Sequence, residues 1–328
     1  ELFITEQMAP ATEEEIVEVA KLVAGPERFK LFEEQKEVDF SYGAPNLGRF
    51  RVNLYLDKEG TALAFRAIPD QVPSLEQMGL PGLFGEFVMK PRGLVLVTGP
   101  TGSGKSTTLA AMIDHVNTQR KCHIITIEDP IEFVHASKNA LITQREVNSH
   151  TDSFSTAIRS SLRQDPDVIL VGEMRDLETI AAAITLAETG HLVLSTLHTT
   201  DAAQTVDRMI DVFPAYQQQQ IRAQLSVALL GVISQTLVPR ADGKGRAAAF
   251  EIMLMNDAIR NCVKEGSTHQ IYSMLQIGRE QGMQTLDDSL ARLTAAGVIT
   301  PEYAMAKAHD VEGFKRSLAQ FQNANGSA

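Results

Sequence analysis

Gly99-Pro-Thr-Gly-Ser-Gly-Lys-Ser-Thr107 decides the fold of this 328-residue chain. The stretch fits the pattern G-x-x-x-x-G-K-[ST], with Gly99, Gly104, Lys105 and Ser106 at the fixed places. Before it, Leu94-Val-Leu-Val-Thr98 is a short apolar, β-branched run of the kind that forms a buried parallel strand. After it, residues 107–116 carry Leu109, Met112, Ile113 and Val116 at helical spacing, all on one face. Strand, glycine loop and helix in this order present backbone N–H groups and a helix N-terminus to a phosphate chain. The candidate nucleotide-binding residues are therefore Gly99, Pro100, Thr101, Gly102, Ser103, Gly104, Lys105, Ser106 and Thr107. Lys105 is expected to reach the β- and γ-phosphates, and the Ser106 hydroxyl to ligate Mg²⁺. A glycine-rich turn with a chance Lys-Ser is the competing reading, and the matching flanks disfavour it.

Composition narrows the function classes. Hydrophobic content of 44% and charged content of 22% describe an ordinary globular chain, long enough for about two domains. The net charge of −11 disfavours a nucleic-acid partner bound over a broad surface. Cys122 and Cys262 are too few and too far apart for a zinc ribbon, and point to free thiols in a reducing compartment. No apolar run approaches the roughly 18 residues of a membrane span. No signal-peptide pattern opens the chain. It starts at Glu1 without an initiator Met, so a longer natural N-terminus is expected.

Residues 1–68 read as a small α+β domain. Residues 2–5 suggest a strand, residues 12–23 a helix capped by Thr12, and residues 27–35 a second helix. Residues 38–42, 48–55 and 61–68 alternate like antiparallel strands. Arg49, Arg51 and Arg66 stand out among them, with a solvated face as the competing reading. Residues 69–82, rich in proline, read as a stiff linker. From there to residue 328, strands alternate with helices in the βαβ manner of a parallel sheet.

Residues 122–127 form the next expected strand, ending in Glu128-Asp-Pro-Ile-Glu132. Three carboxylates at the C-terminal end of a strand suit a cation or polar ligand there. Residues 152–164 suggest a helix, and 168–171 a strand followed by Gly172-Glu173, the logic of a Walker B acid that orients Mg²⁺ and water. A helix over 177–189 precedes a strand bounded by His191 and His198. Seven strand residues separate those histidines by roughly 23 Å, too far for one metal ion, and His198 is the better placed to sense a γ-phosphate. The remainder reads as mostly helical: 217–238 as one long amphipathic helix, a short strand within 245–255, helices over 257–265, 268–278, 286–297 and 314–321, and a frayed tail from 323.

The P-loop, Ile127-Glu-Asp-Pro-Ile-Glu-Phe133, Val168-Ile-Leu-Val-Gly-Glu173 and Thr189-Gly-His-Leu…Thr-Leu-His-Thr199 occur in one order and spacing. They resemble the Walker A, Asp box, Walker B and His box of the type II/type IV secretion ATPase superfamily. Gln144-Arg-Glu-Val147, Ala258-Ile-Arg-Asn261 and Gly282-Met-Gln-Thr285 extend the likeness to its PilT-type twitching-motility, or pilus-retraction, branch. The resemblance implies an α/β chain with a PAS-like N-terminal domain and a RecA-like P-loop ATPase domain, binding ATP and Mg²⁺ between them in a homohexamer. Carried over, Glu132 polarises the attacking water, and Glu173 and Ser106 serve the metal. His191 and His198 are the His-box residues, and Arg51 and Arg66 close over the phosphates. The implied location is the cytoplasmic face of the bacterial inner membrane, reached only through partners: a pilus platform protein and a second retraction ATPase. The alternatives are a pilus-assembly or type II secretion ATPase and an accessory retraction paralogue. Without paired C-x-x-C motifs the zinc subdomain of most assembly ATPases cannot be built, which favours retraction. The family's Arg-x-Asp-Gly hairpin is also missing where Pro10-Ala-Thr12 runs into a helix.

Overall fold

The computed structural model describes residues 9–45, 47–69 and 71–325. The chain divides into two compact units, residues 1–71 with 132–134, and residues 72–131 with 135–328. The strand expected at 2–5 lies outside the described residues.

In the first unit, helix α1 (Glu13–Gln35) starts with a capping box: Thr12 and Glu15 each accept the other's backbone N–H. The two expected helices are one element with a kink. Gly25 takes φ 73°, ψ 170°, a conformation glycine reaches without strain, and Pro26 restarts the helix. Three antiparallel strands follow in the order β1 (Glu37–Ala44), β2 (Gly48–Asp57) and β3 (Gly60–Ile68). Ala20, Val23, Ala24 and Phe32 of α1 pack on Phe40, Val52 and Leu54. The Glu13 carboxylate accepts the Thr61 N–H at 3.0 Å and ties the helix start to β3. Period-two alternation then puts Arg49 and Arg51 on the face opposite Val52 and Leu54.

The second unit is a seven-stranded sheet with helices around it. Its elements begin with α2 (Leu83–Val88), β4 (Gly93–Thr98), α3 (Lys105–Gln119), β5 (His123–Glu128) and β6 (Leu141–Glu146). Next come α4 (Phe154–Ser161), β7 (Val168–Val171), α5 (Leu177–Glu188), β8 (Leu192–Leu197), α6 (Ala202–Asp211) and α7 (Ala215–Ala228). Strands β9 (Leu229–Pro239) and β10 (Arg246–Leu254) complete a sheet of order β10-β9-β4-β8-β7-β5-β6. All pairs are parallel except β9 with β10. Every residue of β4, β7 and β8 is buried, as continuous apolar runs in a sheet covered on both faces should be. Leu75, in the proline-rich stretch before α2, packs in this core with Phe84 and Phe87.

Two expectations fail here. The long helix over 217–238 stops at Ala228, and the chain passes straight into β9. Leu229-Leu-Gly-Val-Ile-Ser-Gln-Thr-Leu-Val238 is rich in β-branched residues, which lose rotamer freedom in a helix and pack well in a sheet. Gly231 fits only as glycine, since a Cβ there would lie 2.5 Å from the Met253 carbonyl oxygen and the Phe87 ring. Strand β6 was not expected at all. It is an edge strand of half-exposed Thr143, Gln144 and Arg145, with no apolar run to announce it.

The C-terminal helices are α8 (Asp257–Glu265), α9 (Ile271–Ile277), α10 (Leu286–Ala295), α11 (Pro301–Met305) and α12 (Val311–Asn325). A short 3₁₀ turn replaces the first residues of the expected 268–278 helix. Helix α12 outruns the expected 314–321 and takes in the start of the supposed tail.

Candidate nucleotide site

The carboxyl ends of the parallel strands collect the candidate residues. The chain leaves β4 toward β5 on one side and leaves β8 toward β9 on the other, so the ends of β4 and β8 flank a topological switch point. That is where open α/β sheets bind ligands. Gly99 follows β4, His198 follows β8, Glu173 lies two residues past β7, and Glu128 ends β5. The register aligns these ends, pairing Thr98 with Leu197, Val171 with Ser195, and Ile127 with Val171. At about 4.8 Å per strand, β7 lies roughly 10 Å and β5 roughly 14 Å from the P-loop strand.

The loop itself needs its glycines. Gly99, Gly102 and Gly104 take φ of 139°, 77° and 90°. At Gly99 a Cβ would also come within 2.2 Å of the Gln235 carbonyl oxygen. Helix α3 begins at Lys105, two residues earlier than expected, which sets Ser106 and Thr107 in its first turn. Lys105 is buried, and its ammonium donates to the carbonyls of Gly99 at 2.8 Å and Pro100 at 3.1 Å. The loop's own carbonyls thus hold the cation over the turn.

Glu173 is the most constrained acid. Its Oε1 accepts from Arg175 Nε at 2.7 Å and meets His198 Nε2 at 3.1 Å. Burial alone would raise its pKa, but the Arg175 hydrogen bond and the charges of His198 and Arg175 outweigh that and lower it. An ionised carboxylate at a strand end suits a divalent cation. The pairing of Glu173 with His198 joins the ends of β7 and β8 in one cluster.

His191 is placed elsewhere. It stands at the opposite end of β8, with Nδ1 3.2 Å from the Leu186 carbonyl oxygen and its own carbonyl accepting the Gly93 N–H. Within this chain it is not brought to the P-loop edge.

Glu128, Asp129 and Glu132 do not converge. Glu128 accepts from Thr126 at 2.7 Å and Gln144 at 3.3 Å, while Glu132 is exposed. Among the described residues no three His, Cys, Asp or Glu side chains are placed to hold one metal. The backbone on both sides of Glu132 is pinned by β6: Glu146 accepts the Ile131 N–H at 3.0 Å, and Gln144 the His135 N–H at 2.8 Å. His135, half-buried in this loop, has its pKa pushed down to about 4 by desolvation of its ring.

In the first unit, Arg51 pairs directly with Arg66 across β2 and β3, and Arg49 lies two residues along the same face. Like charges at cross-strand positions repel. Among the described residues none of the three has a carboxylate within 4.0 Å. The three arginines concentrate positive charge on this face.

The family model described as "Type II/IV secretion system protein" matches residues 49–306. The chain belongs to that family. It is 54% identical over 299 residues to a twitching motility protein of Neisseria gonorrhoeae, covering 91% of this chain and 80% of that one. Identity to the type IV pilus retraction ATPase PilT of Pseudomonas aeruginosa is 55% over 285 residues, or 87% and 83% of the two chains. Among solved structures, the pilus retraction motor PilT with bound ADP superposes with TM-score 0.86 at 46% identity, covering 92% of this chain and 85% of that one. As a member of this family the chain is a nucleotide-binding ATP hydrolase, and its second unit has the RecA-like fold.

Gln144, Glu146, Arg175 and Gln235 are the site residues that motif reading passed over. Gln144 and Glu146 stood in view in Gln144-Arg-Glu-Val147, where their i, i+2 spacing on a strand puts both on one face. Gln235 was hidden by the helical reading of its segment.

Proposed function

We propose that the chain is an ATP-driven motor for type IV pilus retraction, working as a homohexamer at the cytoplasmic face of the inner membrane on a pilus platform protein. The observation that carries this reading is that the P-loop, Glu173 and His198 follow the carboxyl ends of the adjacent strands β4, β7 and β8, in a chain more than half identical to retraction ATPases. Among the described residues no helix is long and apolar enough to cross a membrane.

Phosphoryl transfer asks the protein for positioning and charge neutralisation. The loop N–H groups and Lys105 hold the β- and γ-phosphates. Ser106 and Glu173 would hold Mg²⁺, which supplies further neutralisation of phosphate charge. His198, hydrogen-bonded to Glu173, reports whether that carboxylate is engaged. Glu132 orients the attacking water, and the backbone bonds of Glu146 and Gln144 fix the loop that carries it. Arg51 and Arg66 supply the remaining positive charge from the first unit.

Purified chain tests this directly. Lys105→Ala should abolish ATP binding. Glu132→Ala should keep binding and lose turnover, and parent-like turnover in that variant would remove Glu132 from its role. Turnover by the purified parent alone separates a motor from an accessory paralogue that depends on a second ATPase.

A further inference from the structure

Gln235 stands outside every motif of the sequence, yet it meets the phosphate loop at Gly99 and Ser103 and helix α3 at Thr108. Strand β9 runs parallel to β4, with Ser234 paired to Thr98, and continues after β4 has ended. Gln235 is therefore the first β9 residue beside the loop. Its backbone carbonyl abuts Gly99, where a Cβ would lie 2.2 Å away. Its side-chain Nε2 donates to the Ser103 carbonyl at 2.7 Å, and its Oε1 accepts from the Thr108 hydroxyl at 2.7 Å. Gln235, Ser103 and Thr108 are all buried, at 3%, 3% and 0% exposure. Below them, the hydroxyls of Thr98 and Ser234 meet at 2.9 Å and lock the two strands together.

The amide can be read one way only. A carbonyl oxygen must face a donor, so the nitrogen points at Ser103 and the oxygen at the Thr108 hydroxyl. This has a consequence for the loop. In a trans peptide the C=O of one residue and the N–H of the next point in opposite directions. Holding the Ser103 carbonyl toward β9 turns the Gly104 N–H the other way, into the loop, where phosphate oxygens bind. We infer that Gln235 is a positioning residue for ATP: its amide orients the Ser103–Gly104 peptide so that the Gly104 N–H is aimed at phosphate. The bond to Thr108 fixes the amide against the first turn of α3, so loop and helix N-terminus keep one geometry. This inference rests on the nucleotide-site reading and adds the residue that presets it.

The test compares binding of a fluorescent ATP analogue, together with ATPase KM, kcat and melting temperature, in the full chain and four variants. Gln235→Met keeps the volume and removes both polar ends. Gln235→Glu sets an oxygen against the Ser103 carbonyl. Thr108→Val removes the donor that fixes the amide, and Thr108→Ser restores it. Losing one well-aimed N–H to an ionic oxygen should weaken nucleotide binding about tenfold or more in both Gln235 variants, with KM rising more than kcat falls. Thr108→Val should lose about threefold or more, and Thr108→Ser should stay within about twofold of the parent. A purely structural glutamine would lower the melting temperature and leave affinity unchanged, and that result overturns the inference. Should Gln235→Met fail to fold, unchanged affinity in folded Thr108→Val overturns it equally. A parent chain that binds no nucleotide sinks the site reading and this inference together. A parent that binds, alongside a Gln235→Met that binds equally well, sinks only the inference.

Discussion

Glu251 offers a prediction whose size follows from its surroundings. It lies on β10 at 4% exposure, and its carboxylate accepts the Ala202 N–H at 2.8 Å, at the start of α6 just beyond His198. Burial raises its pKa from 4.5 to about 7; the charges of Asp201 and Asp287 push the same way, and the backbone bonds from Ala202 and Leu286 pull back. A carboxyl whose folded pKa exceeds its unfolded one favours folding while both states are protonated. That advantage is present below pH 4.5 and is lost as pH rises to about 7, because the unfolded chain ionises first. The full gap corresponds to about 3 kcal/mol. Glutamine keeps an oxygen for the Ala202 N–H and does not ionise, so Glu251→Gln should remove the pH-dependent part alone. For a unit of this size, about 3 kcal/mol is on the order of 6–12 °C in melting temperature. Thermal melts of parent and Glu251→Gln from pH 4.5 to 8 should show the difference growing in favour of the variant by about that amount. A difference that stays flat across this window would refute a neutral buried Glu251.

Three further outcomes test the site and its frame. Gly99→Ala places a methyl 2.2 Å from the Gln235 carbonyl at φ 139°, and should weaken nucleotide binding at least tenfold while circular dichroism shows the fold kept. Arg51→Gln with Arg66→Gln removes a like-charged cross-strand pair, so the melting temperature should hold or rise slightly while ATPase activity falls. A fall in both together would mean that the arginines stabilise the sheet. Asp176→Ala removes the cap that accepts both the N–H and the hydroxyl of Thr179 at 2.8 Å, and should cost about 1 kcal/mol by denaturant titration with KM for ATP unchanged.

What the sequence made legible follows from which pressures leave a pattern. The strands β4, β7 and β8 are buried on both faces and read as unbroken apolar runs, so residues 94–98, 168–171 and 191–198 needed no tertiary knowledge. The P-loop was legible because its backbone demands glycine at fixed places. β6 was hidden because an edge strand can be polar, and β9 because a segment of Leu, Ile and Val fits either period when its length is unknown. Glu132 stands out in an acidic cluster and the arginines on their strands, and family likeness supplies their roles. The structure gives Glu132 a loop pinned on both sides, and it sets Arg51 opposite Arg66, a pairing that depends on register rather than on residue type.

The strand that sequence reading missed also joins the two parts of the second unit that matter most. At one end, β9 grows out of α7, in whose last turn the carbonyls of Ser226 and Val227 accept from the Arg260 guanidinium. Arg260 belongs to Ala258-Ile-Arg-Asn261 on α8, the stretch that resembles a retraction motif. Six residues further along, roughly 20 Å at strand rise, Gln235 holds the phosphate loop. Between these points β9 pairs with β10 from Gly231 onward and with β4 at Leu229 and from Gly231 to Ser234, with one register shift at Leu230. Strand β9 thus meets the phosphate loop through Gln235 and begins at a helix end whose carbonyls accept from Arg260.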